Sequence, residues 1–185
     1  MTNQSNSVLL ETERLFLREL ILADCKELST ILCDPVSMVY YPAPFTIQQV
    51  EDWIDWNIEN YRKFHHGLWA VILKENNVFL GDCGITMQDI DGELLPELGY
   101  HVNKEYCGNG YATEAAKACM RYAFDTLGYQ SLYTYTKHDN IPSRRVAEKL
   151  GMTFVKHFEK TVQGTPVHEV VYQIHTGAQH DHTER

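Results

Sequence analysis

The segment from Glu97 to Leu127 constrains the fold of this chain more than any other stretch of the sequence. It opens with apolar or aromatic residues at every second position, Leu98, Tyr100 and Val102, which is the period of a half-buried strand. A glycine-containing turn follows, and the pattern then changes to one with helical spacing. The segment therefore predicts a strand that leads through a tight turn directly into a helix.

The turn and the helix that follows it suggest an anion-binding site. Gly108 and Gly110 allow the backbone to turn and to approach a ligand where a side chain would block it. From Ala112 to Leu127 the apolar residues recur at helical spacing, and Gly128 is a suitable end for the helix. The free N–H groups and the positive dipole end at the start of such a helix favour a phosphate or pyrophosphate group.

Two familiar nucleotide-binding motifs do not fit this turn. A Walker loop ends in Gly-Lys-Ser or Gly-Lys-Thr, whereas Tyr111 follows Gly110 here. A dinucleotide fingerprint needs a third glycine at the head of a βαβ unit, and Gly108-Asn109-Gly110 supplies only two. A structural turn that binds nothing is the alternative that the turn alone leaves open.

Length and composition predict one domain, residues 1–185, with an ordered core from about residue 9 to residue 174 and a flexible polar tail from residue 177 to residue 185. The chain has 185 residues, of which 44% are hydrophobic, enough to bury a sizeable core. Its formal net charge of −9 disfavours nonspecific nucleic-acid binding and suits a cationic substrate such as an amine.

The sequence predicts a cytoplasmic protein without a metal centre. No apolar run approaches the roughly 18 residues of a membrane span, and the N-terminal MTNQSNS has no secretory signal pattern, so no membrane partner is expected. The five cysteines are odd in number and lack CxxC spacing, which is typical of reduced thiols and not of a disulfide framework or a zinc site.

Periodicity, caps and turn residues predict the other elements. Strands alternate with helices along the chain, which indicates an α+β protein with a mixed sheet. Strands are predicted at Leu15–Leu20, Leu68–Leu73, Val78–Met87, Leu94–Val102, from Leu132, and on either side of Gln163-Gly164. Helices are predicted from a cap at Asp24 to Leu32, from a capping box at Thr46 to Lys63, from Ala112, and from Pro142 to Leu150.

Two further segments extend the pattern to nearly the whole chain. Thr12–Arg18 reads TERLFLR, and Asn140–Met152 reads NIPSRRVAEKLGM directly after the strand-like Leu132–Thr136. Together with the glycine turn, these segments resemble the GCN5-related N-acetyltransferase (GNAT) superfamily, closest to its RimJ/RimL-type ribosomal-protein N-acetyltransferase branch, from about Leu9 to Ile174. The resemblance implies a GNAT-type mixed, mostly antiparallel sheet flanked by helices.

The resemblance also implies acetyl-CoA as the acetyl donor and assigns residues to it. The pantetheine arm is expected to hydrogen-bond the backbone of a strand that includes Leu98, Tyr100 and Val102. The pyrophosphate is expected on Cys107, Gly108, Asn109, Gly110, Tyr111 and Ala112. Asn140 and Ser143 are expected beside the pantetheine arm, although Asn140 is equally well interpreted as a turn residue before Pro142. Cys107 stands where the family usually has Arg or Gln, and nothing near it in the sequence would activate it as a nucleophile.

The catalytic candidates follow from the same resemblance and from the needs of acetyl transfer. Many GNAT enzymes protonate the departing thiolate with a tyrosine where Ala147 stands here, so Ser143 is the candidate general acid; the other interpretation of Ser143 is a helix N-cap. Glu97 is the first candidate base, acting through a water, and Glu159 is the second. Histidines in strands, such as His101, are more often packed or hydrogen-bonded than catalytic.

The acetyl acceptor is predicted from the cost of deprotonation. An α-amine has a pKa of about 7.7–8.0 and a lysine amine about 10.4, so one carboxylate base deprotonates a protein N-terminus more easily. The sequence therefore favours a protein N-terminal α-amine as the acceptor. Acetylation of a polyamine or an aminoglycoside-like amine, a non-catalytic acyl-CoA-binding module and a homodimer all stay open.

Overall fold

The structure is a computed structural model that describes residues 7–162 and 164–177. Within these residues the chain forms eight strands in one mixed sheet, with four α-helices packed on it. The strands are β1 Val8–Glu11, β2 Leu15–Glu19, β3 Leu68–Leu73, β4 Val78–Ile90, β5 Glu93–Val102, β6 Ser131–Lys137, β7 Thr153–Val162 and β8 Thr165–His175. The helices are α1 Cys25–Leu32, α2 Ile47–Phe64, α3 Tyr111–Asp125 and α4 Ile141–Lys149. This architecture confirms the predicted α+β class.

The strand order in the sheet is β1-β2-β3-β4-β5-β6-β8-β7. Neighbouring strands run antiparallel except β5 and β6, which run parallel and are in register at one pair, Glu97 with Tyr133. β5 continues from Leu98 to Val102 beyond that pair, while its other edge stays paired with β4. The described part of β5 therefore has an open backbone edge on the β6 side.

The helices cover both faces of the sheet, and β3 shows how the sequence achieves this. All six residues of β3 are buried, because alternate side chains point to opposite faces and both faces are covered. Ala70 and Ile72 pack in a cluster with α1 and α2, whereas Trp69 and Val71 pack in a cluster with α3 and α4.

The long helix α2 begins at the capping box predicted from the sequence. The Thr46 hydroxyl accepts a hydrogen bond from the Gln49 N–H at 3.2 Å, and the Gln49 side-chain oxygen accepts one from the Thr46 N–H at 2.7 Å. The helix ends where His65 adopts a left-handed conformation, with φ of 61°. The left-handed conformation of His65 turns the backbone out of α2 and toward β3, which begins at Leu68.

The structure differs from the predicted elements at a few places. The short, mostly exposed β1 was not predicted, and β4 runs three residues past the predicted end, to Ile90, whose buried side chain packs against Phe158. Asp24 precedes α1, but its carboxylate binds Arg18 at 2.7 Å instead of capping the helix. Gln163 and residues 178–185, including most of the predicted tail, lie outside the described residues. None of the described helices is both long and apolar enough to cross a bilayer.

Candidate active site

A cavity of about 1220 Å³ lies where β5 and β6 part. The starts of α3 and α4 line one part of it, and the loop before α2 lines another. Most of the residues predicted for the site line this cavity: Glu97, Tyr100, Val102, Cys107, Gly108, Gly110, Tyr111, Ala112, Asn140 and Ser143. The side chain of Leu98 is fully buried in the core instead, so Leu98 can reach the cavity only with its backbone.

The predicted phosphate loop is built around two glycines with left-handed backbones. Gly108 has φ of 83° and Gly110 has φ of 84°, a region that residues with a side chain rarely adopt. Gly110 precedes α3 as its N-cap residue, and its carbonyl accepts the Glu114 N–H at 3.0 Å. The Asn109 side chain donates back to the carbonyl of Tyr106 at 3.1 Å, so it closes the loop instead of facing a ligand. The groups available to an anion are therefore the backbone N–H groups at the start of α3.

Arg14, in the turn between β1 and β2, holds this loop in place. Its guanidinium donates to the Asn109 carbonyl at 3.1 Å, lies 4.4 Å from the centre of the Tyr111 ring, and binds the Glu114 carboxylate through Nε at 2.7 Å. These three contacts connect the start of the sheet to the loop and to the first turn of α3. Arg14 belongs to the segment TERLFLR, and nothing in that segment alone predicts these contacts.

Cys107 is exposed, and its sulfur lies 3.7 Å from the Asn103 carbonyl and 3.9 Å from that of Val102. Desolvation raises the pKa of its thiol above the usual value. A raised pKa lowers the thiolate fraction, so the environment does not activate Cys107 as a nucleophile.

Asn140 is the N-cap residue of α4. Its side-chain oxygen accepts the Ser143 N–H at 3.2 Å, and its amide nitrogen donates to the Thr136 hydroxyl at 2.9 Å. Asn140 thus ties the end of β6 to the start of α4, and the cap that the sequence analysis considered for Ser143 belongs to Asn140. Because Asn140 makes the cap, the Ser143 hydroxyl is not needed for it.

The Ser143 hydroxyl lies 3.2 Å from the hydroxyl of Tyr100, which donates to the Ser143 carbonyl at 2.9 Å. Burial raises the pKa of Tyr100 above its usual value, so its phenol stays protonated at neutral pH. Ala147 is buried in the core and offers no hydroxyl at the position of the family tyrosine. Two adjacent hydroxyls, from β5 and α4, therefore form the proton-bearing side of the cavity.

Glu97 lies at the point where the two strands part, and only 8% of its surface is exposed. Its carboxylate accepts a hydrogen bond from the Thr86 hydroxyl at 3.2 Å. Burial raises the pKa of Glu97 to about 7, although nearby Lys160 and the Thr86 hydrogen bond oppose the shift. A carboxylate with this pKa can accept a proton and release it at neutral pH.

A second buried carboxylate, Glu169 on β8, also lines the cavity. Burial raises its pKa to about 7, and its Oε2 has no hydrogen-bond partner among the described residues. Lys160 lines the same wall and donates to the Gln88 side-chain oxygen at 3.2 Å. Glu159, the second candidate base, is not in the cavity wall: its side chain is 61% exposed and faces His168 at 3.6 Å.

A hydrogen-bonded chain of side chains reaches the cavity from the α2 side. The Asp82 carboxylate is fully buried and binds His101 Nδ1 at 2.7 Å, and it also accepts the indole N–H of Trp53 at 3.0 Å. His101 Nε2 lies 2.7 Å from the hydroxyl of Tyr41, which lines the cavity. These four residues come from separate segments of the sequence, so no local motif predicts the hydrogen bonds between them.

The ionisable and hydroxyl side chains that line the cavity beside β5 lie on opposite faces of this strand. Because successive side chains of a strand alternate between faces, Glu97 and His101 lie on the α2 side and Tyr100 lies with Ser143 on the α3 and α4 side. The open backbone edge of β5 runs between them. Such a site can remove a proton on one side of a bound group and supply a proton on the other.

The sequence matches known proteins over most of its length. A family model described as "Acetyltransferase (GNAT) domain" matches residues 14–153. An uncharacterized protein, YkkB, of Bacillus subtilis is 37% identical over 70% of this chain and 73% of its own, and an uncharacterized N-acetyltransferase, YnaD, of the same bacterium is 31% identical over 82% and 86%.

A solved acetyltransferase structure from Agrobacterium tumefaciens superposes with a TM-score of 0.78 at 29% identity, covering 95% of this chain and 99% of that one. The similarity in sequence and the similarity in fold agree, and the residues matched by the family model include the glycine loop. The chain belongs to the GNAT family of N-acetyltransferases, enzymes whose acetyl donor is acetyl-CoA.

Proposed function

We propose that this protein acetylates the α-amine of a protein N-terminus by direct attack in a ternary complex, in the manner of the RimJ/RimL branch. The observation that carries the proposal is Glu97, a buried carboxylate with a pKa of about 7 at the point where β5 and β6 part. The segments TERLFLR and NIPSRRVAEKLGM support the assignment to this branch.

The residues of the cavity fit acetyl-CoA. The open edge of β5 offers backbone groups from Leu98 to Val102 to an extended pantetheine arm. The Cys107 N–H already donates to the Lys104 carbonyl at 3.2 Å, so the backbone N–H groups from Gly108 to Ala112 are the ones that offer a cradle for the pyrophosphate. A Cβ atom at Gly108 would meet no atom within 4 Å, so the cradle is open on that side. When bound, acetyl-CoA supplies an acetyl group activated as a thioester.

Glu97 acts as the base. It accepts a proton from the acceptor ammonium through a water, which leaves the neutral amine needed for attack. The gap between a carboxylate pKa of about 7 and an α-amine pKa of about 7.7–8.0 is roughly one unit, or about 1.4 kcal/mol. For a lysine amine with a pKa of about 10.4 the gap is more than three units, or about 4.6 kcal/mol. The base in this cavity is therefore suited to an N-terminal α-amine.

Ser143 donates a proton to the departing thiolate and regains one from water in the cavity, and its hydroxyl lies 3.2 Å from the hydroxyl of Tyr100. We expect Ser143→Ala to lower kcat by about 100-fold, the low end of general acid catalysis, because a thiol with a pKa near 8.5 is already a tolerable leaving group. Acetyl-CoA affinity and the melting temperature should change little, since Asn140 makes the helix cap. Steady-state kinetics measure kcat, and calorimetry measures acetyl-CoA affinity and the melting temperature. A wild-type kcat in Ser143→Ala would show that water supplies the proton.

An acceptor panel tests the proposed function. Release of free CoA from acetyl-CoA is measured with short peptides that have free N-termini, with polyamines and with aminosugars. We expect release with peptides and little with polyamines or aminosugars at the same concentration. Faster release with a polyamine or an aminosugar would contradict the N-terminal assignment, and acetyl-CoA binding without release for any amine would contradict catalysis.

A further inference from the structure

A line of hydrogen-bonded side chains crosses the cavity wall and ends at the base. Lys160 Nζ donates to the Gln88 side-chain oxygen at 3.2 Å, and the Gln88 side-chain nitrogen donates to the Thr86 hydroxyl at 3.1 Å. The Thr86 hydroxyl donates in turn to Glu97 Oε2 at 3.2 Å. All four side chains line the cavity. Three hydrogen bonds therefore connect the base to a lysine on β7.

The sheet brings these residues together from both sides of the parting between β5 and β6. Thr86 and Glu97 are directly opposite each other in the β4–β5 ladder, so their side chains lie on the same face. Gln88 follows two positions later on β4, which places it on that face as well. Lys160 comes from β7, which β5, β6 and β8 separate from β4 in the sheet. Its contact with Gln88 therefore spans the cavity on the face where Glu97 lies.

The chemistry of the two ends fixes the direction of every hydrogen bond in this line. An ammonium can only donate, and an ionised carboxylate can only accept. The Gln88 atom that faces Lys160 is therefore the oxygen, and the Gln88 nitrogen faces Thr86. Since the Thr86 oxygen accepts from Gln88, its hydrogen goes to Glu97. The opposite direction would set the Gln88 nitrogen against the ammonium, with two donors face to face.

Neutral groups hold the ammonium of Lys160. Besides Gln88, it contacts Tyr135, to whose hydroxyl it donates, and it lies 4.5 Å from the centre of the Tyr135 ring. Burial lowers the pKa of Lys160, and three carboxylates favour its charged form: Glu97, Glu169 and Asp89. The positive charge polarises the line of hydrogen bonds toward Glu97.

The same line leaves one oxygen of the base for the substrate. Glu97 Oε2 accepts from Thr86, whereas Oε1 makes no hydrogen bond to any described residue. Burial raises the pKa of Glu97 to about 7. Glu169 adds to this rise, and three groups oppose it: Lys160, Thr86 and His101. Because Oε2 is held, the carboxylate cannot turn freely, and Oε1 is the oxygen that can take a proton.

We propose that Gln88, Thr86 and Lys160 are positioning residues for the base, and that they hold Glu97 by Oε2 so that Oε1 faces the acceptor amine. The inference rests on the proposed function, because it concerns the base assigned there. The three residues act on Glu97 and take no part in the proton transfers.

The first test asks whether Gln88 acts through Thr86, with a tripeptide amide that has a free N-terminus as the acceptor. Gln88→Met and Thr86→Val keep the size of the side chains and remove their polar groups. We expect each to lower kcat at pH 7 roughly tenfold through a misplaced carboxylate, with the KM for acetyl-CoA within about twofold of the wild-type value. The double variant should lose no more than Thr86→Val alone, because the line is already broken at Thr86. Thr86→Ser keeps the hydroxyl and should restore most of kcat.

Lys160→Met tests the charge at the far end of the line. Without the ammonium the pKa of Glu97 should rise by about one unit, from about 7 to about 8. The ionised fraction at pH 7 then falls from about one half to about one tenth, so kcat should fall roughly fivefold at pH 7 and approach the wild-type value at pH 9.5. Gln173→Met is the matched control: Gln173 on β8 donates to Tyr133 at 2.7 Å outside the cavity wall, and kcat should be unchanged at every pH.

Four outcomes would overturn the inference and leave Glu97 as the base. They are a wild-type kcat in Gln88→Met, additive losses in the double variant, a loss in Thr86→Val that Thr86→Ser does not restore, and a wild-type pH profile in Lys160→Met. A wild-type kcat in Glu97→Gln would overturn both the inference and the role of Glu97 in the proposed function, since there would be no base for the three residues to position.

Discussion

Glu97→Gln is expected to lower kcat at pH 7 by about 10²–10³-fold, because the variant has no carboxylate to take the proton of the acceptor ammonium. Acetyl-CoA affinity should stay within about twofold, since the predicted cradle lies elsewhere. An α-amine is roughly one tenth neutral at pH 7 and mostly neutral at pH 9, so the variant should recover part of the loss, up to about tenfold. Initial rates from pH 6 to pH 9.5 with a peptide acceptor measure this, and a wild-type profile in Glu97→Gln would move the role to Glu169 or to solvent.

Stability measurements serve as the control for the same variant. The pKa of Glu97 is about 7 in the folded protein and about 4.3 in an unfolded chain, so the folded state binds the proton more tightly between these values. The wild type therefore loses stability as pH rises from about 4.3 to about 7 and regains none of it above that. Glu97→Gln escapes this loss and should be more stable than the wild type at pH 8, by up to about 3.7 kcal/mol, but not at pH 4. A variant that is inactive yet more stable at pH 8 has not lost its activity by unfolding.

Gly110→Val is expected to weaken acetyl-CoA binding by about 100-fold. Gly110 has φ of 84°, and a β-branched residue adopts that conformation only with strain of about 1–3 kcal/mol. A Cβ atom there would meet only Arg14 Nη2, at 3.5 Å, so the protein can accommodate the side chain by rotating the loop backbone. That rotation turns the N–H groups at the start of α3 away from the pyrophosphate. Titration calorimetry with acetyl-CoA measures the loss.

Gly128→Val provides the matched control for backbone strain. Gly128 follows the other end of α3 with φ of 75°, and a Cβ atom there would also have open space around it. The two variants should therefore lose similar stability, while only Gly110→Val loses affinity for acetyl-CoA. Equal affinity in the two variants would remove the phosphate role from the loop.

The sequence predicts best those features that neighbouring residues determine. The capping box at Thr46, the turn at Gly108 and Gly110, and the period-two pattern of β5 each depend on a few adjacent residues, and the structure has the corresponding elements. β1 was not predicted because four mostly exposed residues carry too weak a periodic signal. Its strand conformation depends on pairing with β2.

The site is predictable only in part, since distant segments complete it. A register shift between Phe154 and Lys156 in β7 changes which side chains face the cavity, so Lys160 lines it and Glu159 does not. The neighbouring strand β8 brings Glu169 there instead. Tyr41 and His101 are separated by sixty positions in the sequence, and only the folded sheet shows that they form a hydrogen bond.

The parting of β5 and β6 divides the strand pairing of the sheet into two hydrogen-bonded units. Strands β1 to β5 pair in sequence order, whereas β6, β7 and β8 form a second hydrogen-bonded group. Between the two, the sheet is joined at the Glu97–Tyr133 pair, and α3 packs against strands of both groups. Local opening of one unit need not disrupt the hydrogen bonds of the other. A ligand bound in the gap contacts both, so amide hydrogen exchange in the two units should slow together when it binds.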